Sequence, residues 1–186
     1  YGLYLFLDGA RLGYGLAAPD NDLTLPEIAA LCDVFYIGGT KVGALFGEAV
    51  VIKNPELAQD FRYLIKQNGG MLAKGRLLGL QFDALFTDGL YQVISAHAIA
   101  MAEKLREAFT AKGYTYLAPN RTNQIFVIVP DAHLAKISEQ FEYSYDQRID
   151  ATHSCRYMLS TEGVAEPSST SAPSFAPRQM ATSLAL

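Results

Sequence analysis

Cysteine is scarce. Cys32 and Cys155 are the only two in 186 residues, so neither a disulfide framework nor a Cys-x-x-Cys pair is available, and the usage suits a reducing cytoplasm. Basic runs are missing as well. Fifteen lysines and arginines stand against 19 acidic residues for a net charge of -4, and no stretch of cations could track phosphates. Nucleic acid is therefore not an expected partner. Long hydrophobic runs are absent too. The longest uncharged apolar stretch, around Val93 to Ala102, contains His97 and falls well short of the roughly 20 residues a membrane span needs, so no membrane is expected. His, Cys and acidic residues show no metal-ligand spacing, and no internal repeat is visible. A methionine start and a signal-peptide pattern are also lacking. The chain opens Tyr1-Gly2-Leu3, as expected of a chain whose true N-terminus lies upstream.

What is present fits an α/β protein. Half of the residues are hydrophobic and 18% are charged, and the length allows one domain or one and a half with a real core. Tyr1 to Leu7 is apolar almost without interruption, which predicts a strand buried on both faces of a parallel sheet. It ends in Asp8-Gly9-Ala10-Arg11, and a loop with Pro19, Asp20 and Asn21 follows. Thr24 before Pro26 and Glu27 predicts a capped short helix ending at Leu31. Val34 to Ile37 reads as a second buried strand, so this stretch is a βαβ unit.

Ala49 to Ile52 predicts another buried strand. Pro55 opens a helical segment to Lys66 that Gly69-Gly70 breaks. Met71 to Phe86 and Leu90 to Lys112 read as longer helices separated by Asp88-Gly89. In the second of these, Val93, Ile94, Ala98, Met101, Leu105 and Phe109 form an apolar stripe, and Gly113 closes the helix. Beyond it the period changes. Tyr114 to Leu117 and Gln124 to Val129 predict strands around Pro119-Asn120, Asp131 to Phe141 a helix, and Arg148 to Leu159 a further strand. The expected organisation is an α/β part over 1–89, a connecting helix over 90–112 and a small α+β part over 113–159. The Ser/Pro/Ala-rich tail, 160–186, is expected to be disordered.

Asp33-Val34-Phe35-Tyr36-Ile37-Gly38-Gly39-Thr40-Lys41 is the informative stretch. A buried strand stops at two glycines and presents one lysine, where desolvation disfavours the ammonium. Only the neutral amine attacks a carbonyl. Asp8 and Arg11 sit just past the end of the preceding strand, where open α/β sheets place ligands. An aspartate, an arginine and a lysine at one sheet edge are the set a pyridoxal 5'-phosphate site requires. The lysine forms the Schiff base, the aspartate keeps the pyridine nitrogen protonated, and the arginine holds a carboxylate through two hydrogen bonds. The plain alternative is a loop Asp-Arg pair with a surface lysine.

A second alternative is a dinucleotide fingerprint, since Gly13-Tyr14-Gly15-Leu16-Ala17-Ala18 matches G-x-G-x-x-A with Asp33 downstream. Pro19 and the Asp8 to Arg11 insertion count against that NAD-binding module. Lys74 and Arg76 at a helix start could hold a phosphate or face water. His97 reads as structural and His133 as exposed, while His153 and Cys155 lack partners for a nucleophile pair.

Leu7-Asp8-Gly9-Ala10-Arg11, the spacing to Asp33 through Lys41, and Gly47-Glu48-Ala49-Val50-Val51-Ile52 together resemble the threonine aldolase branch of the β-eliminating lyases. Gly69-Gly70-Met71 and Thr122-Asn123 extend the match to roughly residues 1 to 153. The resemblance implies the aspartate aminotransferase-like fold, here as the C-terminal half of a fold type I large domain plus an incomplete α+β small domain. It implies an N-terminally truncated fragment, active or inactive, of a cytoplasmic homo-oligomer that cleaves a β-hydroxy-α-amino acid to glycine and an aldehyde. Lys41 would be the catalytic lysine, with Asp8, Arg11, Lys74 and Arg76 binding the cofactor. Arg11 and Arg156 would bind the substrate.

Overall fold

Residues 1–139 and 143–159 are described by the computed structural model. The expected tail, 160–186, lies outside the described residues, as does the end of the helix expected to reach Phe141. The chain forms two units, Tyr1–His97 and the residues from Ala98 onward, divided inside one long helix.

In the first unit, β1 (Phe6–Leu7) pairs parallel with β2 (Val34–Gly38), with Phe6 opposite Val34 and Leu7 opposite Phe35. The predicted helix between them is α2 (Leu25–Leu31). Its N-terminus is held where the sequence placed it, as the Glu27 carboxylate accepts from the Thr24 amide at 2.7 Å. The loop expected between Arg11 and Thr24 contains a further helix, α1 (Leu12–Ala17). Two glycines in six residues weaken its helical signature.

β1 is shorter and more exposed than the apolar run predicts. Leu3, Tyr4, Leu5 and Phe6 are each more than half exposed, because β1 is an edge strand with β2 on one side and no strand on the other among the described residues. Ala49 to Ile52 was expected as a buried strand; β3 (Glu48–Ile52) lies antiparallel to β2 at the other edge, and its residues are exposed or half-buried.

The helical segment from Pro55 divides into α3 (Pro55–Ala58) and α4 (Phe61–Gln67), because Asp60 between them adopts a left-handed conformation with φ 57°. α5 (Arg76–Phe86) and α6 (Leu90–Ala111) follow, joined by a short turn at Thr87–Gly89. Phe35 and Ile37 on one face of β2, Tyr14 of α1, Ile28 of α2, Val42, Leu85 and Tyr91 are the large buried side chains of this unit.

The second unit is a four-stranded antiparallel sheet in the order β4-β5-β7-β6, formed by β4 (Thr115–Tyr116), β5 (Gln124–Pro130), β6 (Ser144–Arg148) and β7 (His153–Leu159). α7 (Asp131–Ser138) lies between β5 and β6 in the chain. Along β5 the alternation is strict. Ile125, Val127 and Val129 are fully buried with Ala102, and Phe109, Leu134 and Ile137 pack against them. Each such aliphatic side chain contributes roughly 1.5–3 kcal/mol by leaving water. β6 was not anticipated, since Ser144 to Arg148 is polar and exposed throughout and carries no apolar period. The fold class is α/β, as the sequence predicts, with a mixed first sheet. No helix among the described residues is long and apolar enough to cross a membrane.

Candidate active site

The carboxyl ends of β1 and β2 meet over two glycines. The Gly38 amide donates to the Gly9 carbonyl at 2.9 Å. A Cβ on Gly9 would lie 1.6 Å from the Tyr36 carbonyl oxygen, and one on Gly38 would lie 2.4 Å from that of Ala10. Only glycine lets the Asp8 to Arg11 turn sit this close to the end of β2. That contact brings Asp8 beside the segment that carries Lys41.

Lys41 lies in a turn closed by the amides of Val42 and Ala44, which donate to the Gly39 carbonyl at 2.9 and 3.0 Å. Val42 is fully buried and anchors the turn in the core. The Lys41 carbonyl accepts a hydrogen bond from the Tyr14 hydroxyl. The Glu48 carboxylate accepts from the Gly39 amide at 3.1 Å and from the Thr40 hydroxyl at 3.4 Å. The backbone around Lys41 is therefore held on both sides.

Its amine makes no hydrogen bond or ion pair among the described residues. Lys41 is half-buried, which corrects the expectation of a lysine desolvated by its strand. It stands past the strand's end, on a turn that reaches toward solvent.

Asp8 is exposed. Its Oδ1 accepts from the Tyr36 hydroxyl and from the Ala10 amide, the latter at 3.1 Å. Among the described residues Oδ2 takes no hydrogen bond. The Tyr36 bond, first, and the Ala10 bond hold the Asp8 carboxyl below the usual carboxylate range, and the Lys41 charge adds to the effect. Asp8 and Lys41 are thus close enough to feel each other's charge. Tyr36 is pushed up to about 12, chiefly by its bond to Asp8. Arg11 is half-buried and stands at the N-cap position of α1.

Lys74 and Arg76 are exposed at the start of α5, on either side of its N-cap, Gly75. Arg156 belongs to the second unit, on β7, and is 8% exposed. Its guanidinium lies over the rings of Tyr143 and Tyr145, at 5.4 and 4.9 Å from their centroids, and Nε has no hydrogen-bond partner among the described residues.

The dinucleotide alternative fails on three observations. Gly13 and Gly15 lie inside α1 and not ahead of its N-terminus. The Gly13 amide is already taken by the Tyr91 hydroxyl at 3.0 Å. Asp33 stands at the start of β2, where its carboxylate accepts from the Leu5 amide at 2.8 Å, far along the strand from the ligand-bearing end.

Other candidates also resolve. His97 is exposed, while His133 bonds the Tyr114 hydroxyl at 3.0 Å. His153 pairs with Asp150, and the Cys155 thiol is buried and pushed up to about 11 by burial, so it is no nucleophile. No cluster of three or more His, Cys, Asp or Glu suited to a metal ion occurs among the described residues.

Sequence reading missed Tyr36 and Glu48. Tyr36 is a phenol on the half-buried face of β2, two residues before its glycine end, and the alternation with Phe35 and Ile37 was the available signal. Glu48 is the single acid in the Gly47 to Ile52 run.

No protein-family model matches this chain. The low specificity L-threonine aldolases of a Pseudomonas strain and of Pseudomonas aeruginosa are 35% and 32% identical to it over 130 and 127 residues, covering 68% of this chain and 37% of theirs. The solved structure of Leishmania major threonine aldolase matches with a TM-score of 0.84 at 42% identity, covering 86% of this chain and 47% of that one. The chain accordingly spans well under half the length of the curated relatives it matches, and its fold is part of the fold type I architecture. Over most of its length, then, the chain resembles the threonine aldolase family, as a part of it.

Proposed function

We propose that this chain carries part of the active site of a pyridoxal-phosphate-dependent lyase, which cleaves a β-hydroxy-α-amino acid of the threonine type to glycine and an aldehyde. The observation that carries this reading is the edge shared by Asp8 and Lys41. Among the described residues, an amine without a hydrogen-bond partner and a carboxylate with one unbonded oxygen stand within reach of each other's charge, over backbone that only glycine permits. That donor set fits an aldehyde-bearing pyridine.

When bound, the cofactor supplies an electron sink for the carbanion left as the Cα–Cβ bond breaks. The chain supplies the rest. Lys41 would offer its amine to the cofactor's carbonyl carbon, and the bonds from Gly39 and Thr40 to Glu48 hold the turn from which its side chain extends. Asp8, kept ionised by its two donors, holds a proton at the pyridine nitrogen. Arg11 clamps the substrate carboxylate, or the cofactor's ring oxygen, through two parallel hydrogen bonds. Lys74 and Arg76 take the phosphate. In the second unit, Arg156, whose buried Nε has no hydrogen-bond partner among the described residues, is that unit's own candidate for binding a carboxylate. The whole protein acts as a homo-oligomer.

The test is aldehyde release from L-threonine by the protein supplied with pyridoxal phosphate. The account expects release that needs the cofactor and disappears in Lys41→Ala. Release that survives in Lys41→Ala would remove the lysine from the chemistry.

A further inference from the structure

Asp8 stands on an exposed turn, and a carboxylate there rotates freely unless something stops it. We infer that Tyr36 is the positioning residue that stops it: its hydroxyl holds Oδ1 so that Oδ2 is presented to the protonated ring nitrogen. This rests on the reading of Asp8 as the cofactor's pyridine partner.

The register puts Tyr36 one residue beyond the Leu7–Phe35 pair, directly beside Asp8. The Tyr36 ring is itself placed, lying against Phe6 with centroids 6.1 Å apart. Both hydrogen bonds to Asp8 fall on the same oxygen. The backbone bond from Gly38 to Gly9 already ties the turn to β2. A purely structural role for the Tyr36 hydroxyl is thus redundant, while its effect on the carboxylate is not.

The charges around the pair act in one direction. Lys41 bears on Asp8, and both Asp8 and Glu48 bear on Tyr36. Tyr36 therefore remains a protonated donor while Asp8 remains an ionised acceptor.

Tyr36→Phe removes the hydroxyl and keeps the ring. In the cofactor-free protein, carboxyl carbon NMR should show the Asp8 titration rising toward the ordinary carboxylate range, with the melting temperature little changed. In the cofactor-loaded protein, Tyr36→Phe should weaken pyridoxal phosphate binding by about tenfold, the size of one hydrogen bond to a charged group. In an Asp8→Asn background the same change should cost less than about twofold, because a residue that acts through Asp8 has nothing left to act on. An unmoved Asp8 titration, or an equal loss in both backgrounds, would overturn the assignment. If the unaltered protein takes up no pyridoxal phosphate, the proposed function fails. The NMR titration then still decides whether Tyr36 governs Asp8, upward movement supporting it and none refuting it.

Discussion

The Tyr91 hydroxyl donates to the Gly38 carbonyl at 3.0 Å and, on its other side, accepts from the Gly13 amide at the same distance. One phenol from α6 thereby ties the end of β2, where the Lys41 turn begins, to the helix that follows Arg11. Tyr91 is 1% exposed, and burial first pushes its hydroxyl up to about 12, so it stays neutral across the working range.

Tyr91→Phe keeps the ring stacked on Phe86 but strands a buried amide and a buried carbonyl. The expected loss is about 1–3 kcal/mol of stability, read as a lower denaturation midpoint at unchanged slope.

Two glycines give opposite outcomes with the same substitution. Gly9→Ala drives a methyl into the Tyr36 carbonyl, an overpacking that costs about 1–3 kcal/mol or more and separates Asp8 from Lys41. Gly79→Ala lies inside α5 with nothing within 4 Å of the new carbon. It should stabilise by about 0.5–1 kcal/mol through helix propensity. Thermal melts of the two variants check both signs.

In the second unit, Glu103 is held below its ordinary value, first by the Arg121 hydrogen bond and then by the charges of Arg121 and Arg106, at 2.7 and 3.3 Å. Its folded-state titration is lower than its unfolded one. The stability it contributes is therefore present above the unfolded value near 4.5 and is lost as pH falls through the folded one. Glu103→Gln should flatten the acid limb of the stability profile and leave the shape above pH 6 alone. An unchanged acid limb would remove Glu103 from it.

Lys74 and Arg76 are assigned to phosphate, and phosphate-free pyridoxal isolates that assignment. Replacing both by Ala should weaken pyridoxal phosphate binding by about tenfold or more and leave pyridoxal unaffected. Equal losses for both ligands would return the two cations to solvent.

Much of the first unit was legible because local chemistry and tertiary packing agree there. The Thr24–Glu27 cap and β2 appear where their residues place them, and so does the helix α6, although Val93 and Leu105 of its apolar stripe are exposed. That Asp8 and Lys41 lie near enough to feel each other's charge was legible as well, since both ends of a βαβ unit open on one edge. What stayed hidden depends on neighbours that a sequence does not display. The run from Tyr1 to Leu7 reads as buried, yet one side of β1 has no partner strand among the described residues. α1 hides behind two glycines, and the packing reason for one of them, Gly13, is Tyr91, which lies 78 residues on. Tyr36 and Glu48 look like ordinary strand residues until register and turn bring them to Asp8 and Gly39.

The central claim is that Lys41 is the lysine that meets the cofactor. Borohydride reduction of the protein after incubation with pyridoxal phosphate, followed by peptide mapping, tests it most directly. The account predicts one stable pyridoxyl adduct, on the peptide that contains Lys41, and its loss in Lys41→Ala. An adduct confined to other lysines, or none at all in protein that is folded by circular dichroism, would contradict it.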